Sequence, residues 1–170
     1  MRFLDRLFGR PDANEAVRPL YDALVARGRD AHWFVAGGVP DTIDGRFEMI
    51  AAILALVIAR LELEADRKQA VAWLVELFVT DMDGQLREIG IGDMVVGKHV
   101  GKMMGALGGR IGAYREGLRE GEFEAALVRN LYRGVEPAAA ALEHTAEQLR
   151  AFYLALHATP AESIVGGQLP

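Results

Sequence analysis

At 170 residues, with 51% hydrophobic and 25% charged side chains, the chain suits one domain with a substantial core and is too apolar to stay disordered. A formal net charge of −5 argues against a nucleic-acid partner, and none is expected. The absence of cysteine excludes disulfides, thiolate metal sites and a cysteine nucleophile.

The first segment, residues 1–11 (MRFLDRLFGRP), has no apolar stretch long enough for a signal peptide. Phe3, Leu4, Leu7 and Phe8 make one face of a short amphipathic helix beside Arg2 and Arg6, suited to a membrane surface or to packing as a strut. A helical domain is expected over residues 12–158. Ala16, Leu20, Ala23 and Leu24 space out its first helix, which Gly28 ends. Residues 37–45 (GGVPDTIDG) are turn-rich, with Pro40 and the capping candidates Asp41 and Thr42 ahead of a helix from about residue 43 to residue 63. That helix is apolar nearly all round (Ile50, Ile53, Leu54, Leu56, Val57, Ile58, Leu61), which predicts a central place in the core. Its longest apolar run, 49–59, is too short to cross a bilayer.

Residues 66–88 place Val71, Leu74, Val75, Phe78, Met82 and Leu86 three and four apart, and GIGD (90–93) turns the chain into a glycine-bearing segment. A short amphipathic helix over 122–132, a final helix from Pro137 to about residue 157, and a tail over 159–170 complete the chain. The predicted fold is all-α: a single domain of about six helices around one core, with a Gly-rich helix and short flexible termini.

Two stretches imitate phosphate enzymes. Asp81 to Gly84 read DMDG, close to the DxDGT of haloacid dehalogenase phosphatases, but Gln85 stands in place of threonine. The residues before it have a helical period rather than a strand's, so Asp83 and Arg87 are expected as an i,i+4 ion pair on a helix. Gly92 to His99 fit GxxxxGK, yet His99 stands where a P-loop needs serine or threonine for Mg²⁺, and no strand precedes. A small Mg-dependent phosphate enzyme is therefore the weaker alternative, and no catalytic residue is assigned. His32, His99, His144 and His157 show no paired ligand spacing, and no haem-attachment motif occurs, so no metal or cofactor is expected.

The glycines of the same segment are better ordered than chance allows. At about 100° per residue, Gly97, Gly101, Gly105, Gly108, Gly109 and Gly112 share one arc of about 120°. Val96, Val100, Met103, Met104, Leu107, Ile111, Tyr114 and Leu118 occupy the neighbouring arc. An interior glycine costs about 1 kcal/mol of helix stability against alanine, and six cost about 5 kcal/mol, the order of a domain's net stability. A face of small residues lets another backbone come close. Its occupant is either another helix of this domain or an external partner, a second copy of the chain included.

Four stretches together resemble one family. Residues 37–61 (GGVPDTIDGRFEMIAAILALVIARL) are similar to its GVPDTxDGRF motif and the long apolar helix that follows. Residues 78–103 (FVTDMDGQLREIGIGDMVVGKHVGKM) resemble its DMDxxLREMGVGDxxVGKxVKKM signature, and 108–114 and 126–134 its GRxxAY and LxRNxYxG segments. This is the ubiquinol–cytochrome c chaperone family, whose mitochondrial members are assembly factors for cytochrome b of the bc1 complex. The resemblance spans roughly residues 20–156 and implies a non-catalytic all-α protein that binds newly made cytochrome b. With no transit peptide ahead of the domain, the chain looks like the bacterial type, expected at the cytoplasmic face of the inner membrane. Mitochondrial members also work with a small helper protein and contact the ribosome, neither of which the resemblance carries over to this chain. Gly101 departs from the pattern, which has lysine there, while Lys98, Lys102 and Arg110 match.

The expected client groove is Val96, Gly97, Val100, Gly101, Met103, Met104, Gly105, Leu107 and Gly109, with Lys98, Lys102 and Arg110 as rim cations. Asp41, Arg46, Asp81, Asp83, Arg87 and Asp93 are expected to cap helices and hold turns.

Overall fold

A computed structural model describes residues 13–88, 90 and 93–170, apart from the side chains at 13, 86, 93–97, 99, 100 and 103. After a 3-10 turn at Ala13–Val17 come α1 (Arg18–Gly28), α2 (Ala31–Val35), α3 (Ile43–Leu61), α4 (Lys68–Glu88), α5 (Asp93–Glu120), α6 (Phe123–Asn130), α7 (Ala139–Ala158) and α8 (Ala161–Val165). No strand occurs among the described residues, so the fold is all-α. The amphipathic segment expected over 1–11 lies outside them.

Helix α3 is the axis. Every residue from Glu48 to Leu61 is buried, because its apolar side chains leave no face for water. Burying each large aliphatic is worth about 1.5–3 kcal/mol, so this one helix anchors the core. Around it pack α1, α4, α5 and α7, and their buried residues form one cluster with it. The helix starts where the Thr42 side chain accepts the Gly45 amide at 3.1 Å, a side-chain N-cap. Glycine is required at 45, since a Cβ there would stand 1.8 Å from the Pro40 carbonyl oxygen. At the far end Arg60 donates to the carbonyls of Leu156 and Thr159, at 3.1 and 3.2 Å, and so satisfies the C-terminus of α7.

The glycine-bearing segment is one continuous helix of 28 residues, α5. Two short elements exceed the expectation. Helix α2 has five residues, too few to show a period, and is held by Trp33, which is 1% exposed. The C-terminal stretch carries α8, with Ile164 fully buried and Gly167 pressed on Pro19, so apolar residues spaced too sparsely to read as a helix still complete the core. No described helix is long and apolar enough to cross a membrane.

Candidate functional site: the open face of α5

Helix α5 has two unlike sides. Leu107 and Tyr114 are buried, and Ile111, Ala113 and Leu118 pack against the same cluster. Gly117 belongs to this side, where the Phe123 Cα comes within 3.0 Å of a Cβ placed on it. That glycine has a structural reason, the sharp return of the chain into α6.

The other side has none. A Cβ placed on Gly101, Gly105, Gly108, Gly109 or Gly112 meets nothing within 4 Å. By contrast, one on Gly28 or Gly37 comes to 3.0 and 2.4 Å of its nearest neighbour. The five α5 glycines therefore serve no close packing within the described part of the domain. Met104 lies beside them at 39% exposure, and Lys98 and Lys102 are exposed on the same helix. The structure thus presents one strip of nearly bare helix backbone with a thioether and lysines at its end.

The expected groove residues divide. Gly101, Met104, Gly105 and Gly109 are exposed, while Leu107, at 3% exposure, belongs to the core. Val96, Gly97, Val100 and Met103 lie on α5, but their side-chain positions fall outside the described residues. Among the expected rim cations, Lys98 and Lys102 face solvent and Arg110 does not. Arg110 donates through Nε and Nη2 to the two carboxylate oxygens of Glu48, at 2.7 and 2.5 Å, with side chains only 12% and 6% exposed. Burial still holds the Glu48 carboxyl above its usual range, with Arg110 pulling it down. Arg110 is a strut between α5 and α3. Sequence offered a signal for this, because Arg110 follows Leu107 by three and precedes Tyr114 by four, on the inward stripe.

Of the residues expected to cap helices and hold turns, Asp81, Asp83 and Arg87 lie within α4, and five have described partners. Asp83 and Arg87 form the i,i+4 pair at 2.7 Å, and Asp41 pairs with Arg46 at 2.6 Å on the surface. Asp81 accepts the Tyr21 hydroxyl at 2.6 Å; burial and this bond push the phenol well above its usual range. Asp93 begins α5. Both acids of DMDG thus stand on α4, and the GxxxxGK stretch from residue 93 onward is helix rather than loop. Among the described residues no group of three or more histidine or acidic side chains is placed to hold a metal.

Sequence spacing missed one pairing. His32 and His144, 112 residues apart, meet at 3.0 Å. Nothing local marks such a pair; only the fold brings α2 to α7.

Comparison with known proteins adds to this geometry. The family model described as ubiquinol-cytochrome C chaperone matches residues 35–169, which include all of α3 through α8. The crystal structure of the Cbp3 homolog from Brucella abortus superposes with a TM-score of 0.80 at 28% identity, covering 98% of this chain and 94% of that one. No curated protein matches.

Proposed function

Because this chain belongs to the ubiquinol-cytochrome C chaperone family, we propose that it is a non-catalytic assembly factor binding newly made cytochrome b as ubiquinol–cytochrome c reductase is built. The observation that carries the client site is the strip of five glycines on α5 whose side-chain space is empty. An unassembled membrane protein exposes apolar helices, and such a helix packs closely on a backbone that lacks side chains. Exposed Met104 adds a polarizable, adaptable contact, and Lys98 and Lys102 supply cations for acidic loops or lipid phosphate nearby. Arg110 is left out of this rim because Glu48 occupies it. The protein works at the cytoplasmic face of the inner membrane, where such a client emerges.

The test is recovery of cytochrome b with the tagged protein from its own cells in mild detergent, with a Gly105→Leu variant in parallel. Since a Cβ at 105 has open space, the variant keeps its helicity, which circular dichroism checks. The expected result is cytochrome b with the wild type and at least a tenfold lower yield with the variant, a loss of about 1.4 kcal/mol in binding. Equal recovery with both moves the site off the glycine strip. No cytochrome b with either removes the client. Self-association through the same strip is separated by light scattering, in which it would show as a doubled mass that Gly105→Leu abolishes.

A further inference from the structure

Helix α2 is tied to α7 by two imidazoles. His32 Nδ1 lies 3.0 Å from His144 Nε2, with the rings edge to face and their centroids 5.2 Å apart. Both rings are half-buried. His32 leans on Trp33, centroid to centroid 4.0 Å, and the indole N–H of Trp33 donates to the Arg27 carbonyl at 2.7 Å. One residue beyond His144, Thr145 is fully buried, and its hydroxyl lies 2.9 Å from the Tyr132 hydroxyl, which donates to the Gly37 carbonyl at 2.6 Å. The imidazole pair therefore sits where α2, and the turn that follows it into α3, rests on α7.

A hydrogen bond between two ring nitrogens needs one donor and one acceptor. Two neutral rings provide this by choice of tautomer. One added proton keeps it and makes it charge-assisted. A second added proton turns both nitrogens into donors and sets two cations face to face, so the contact opens. The charges around His32 divide. Asp30, in the turn before α2, favours the cation on His32, whereas His144 on α7 and Arg27 on α1 oppose it. The Arg27 guanidinium is held in place over the Phe152 ring of α7, 4.7 Å from its centroid. Burial is the largest influence, and the His32 pKa lies below its ordinary value.

We propose that the His32–His144 contact is a pH-sensitive latch, holding α2 and its following turn on α7 while the pair carries at most one added proton and releasing them when it carries two.

The sign follows from linkage. A histidine whose folded pKa is depressed takes its proton more readily once released. The latch is therefore fully closed above the ordinary histidine value of about 6.5 and weakens as pH falls below it. Each extra proton bound by the released form shifts the opening equilibrium by up to about tenfold per pH unit.

Hydrogen exchange on the full chain at pH 7.5, 6.5 and 5.5, corrected for intrinsic exchange rates, reads this opening directly. The amides of Ala36 and Gly37 bond to the His32 carbonyl and that of Val39 to the Trp33 carbonyl, so residues 36–39 report on the latch. Their protection is expected to fall about tenfold or more between pH 7.5 and 5.5 relative to α3 amides. His144→Gln, whose amide can bond the His32 ring without taking a proton, is expected to remove that fall while keeping protection at pH 7.5. His32→Gln is the second variant, used in the same way if the first does not fold. A flat profile in the wild type overturns the latch. So does an equal fall in the wild type and in the folded variant.

Discussion

Glu48 is the only carboxylate within residues 48–61, the stretch of α3 that the core encloses, and Arg110 reaches it from another helix. Desolvation works against its charge more strongly than the guanidinium favours it, which is why the carboxyl sits above its usual range. A raised carboxyl binds its proton sooner in the folded chain than in the unfolded one. Its contribution to stability is thus full below the unfolded value and is lost as pH rises through the folded one. Arg110→Met removes the compensating charge and leaves the carboxylate alone in the core. Urea unfolding at pH 7 is expected to show a loss of about 3 kcal/mol, shrinking as pH is lowered toward 5 because the orphaned carboxylate can then protonate. Adding Glu48→Gln to Arg110→Met is expected to restore most of the loss. A deficit unchanged by acid would mean that Arg110 packs against α3 without neutralising Glu48. This pair also corrects a functional expectation at its root: a cation already committed to a buried acid is no rim for a partner.

At the scale of the element, α5 separates two uses of glycine that sequence alone runs together. Gly105→Ala and Gly109→Ala should each raise stability, by up to about 1 kcal/mol, since alanine is the better helix former and its methyl meets only open space. In a chain of this size that corresponds to about 2–4 °C in Tm per substitution. Gly117→Ala should do the reverse, because its methyl would press on the Phe123 Cα and Glu122 carbonyl at 3.0 and 3.2 Å. Thermal unfolding of the three variants decides it; a Gly105→Ala protein less stable than wild type would show that the strip is packed after all. The periodicity made the segregation of glycine from apolar residues legible. It could not say which arc faced inward, because a helical wheel fixes relative phase and not orientation. Nor could it show that the apolar arc changes role along the helix, with Leu107 and Tyr114 in the core and Met104 in solvent. The same limit hid α2 and α8, whose five residues each are placed by tertiary contacts rather than by a period of their own. Helix α3 was plain from sequence for the opposite reason, its residues 49–59 being apolar on every side for about three turns.

Over the whole molecule, burial among the described residues falls from the centre toward one end of α5. Residues 48–61 are buried without a break, whereas Lys98, Gly101, Lys102, Met104 and Gly105 are all exposed before Leu107 makes the first described core contact of that helix. Glycine weakens the helix in the same region, so the strip combines low intrinsic helicity with no close packing against its glycines among the described residues. Such a segment opens locally at a cost well below global unfolding. Hydrogen exchange at neutral pH should therefore find amides 101–106 exchanging through local opening, at least about a hundredfold faster relative to intrinsic rates than those of 50–58, which should exchange only when the whole domain unfolds. Protection in 101–106 equal to that of α3 would show that the strip is rigid. A client would then have to fit a fixed surface. Fast exchange that slows when the client is bound would instead mean that the glycines leave α5 soft until a partner's helix supplies the packing its own domain withholds. On the proposed reading, the surface offered to the client is the one that α5 leaves open, and the buried centre formed by α3 keeps that openness from spreading.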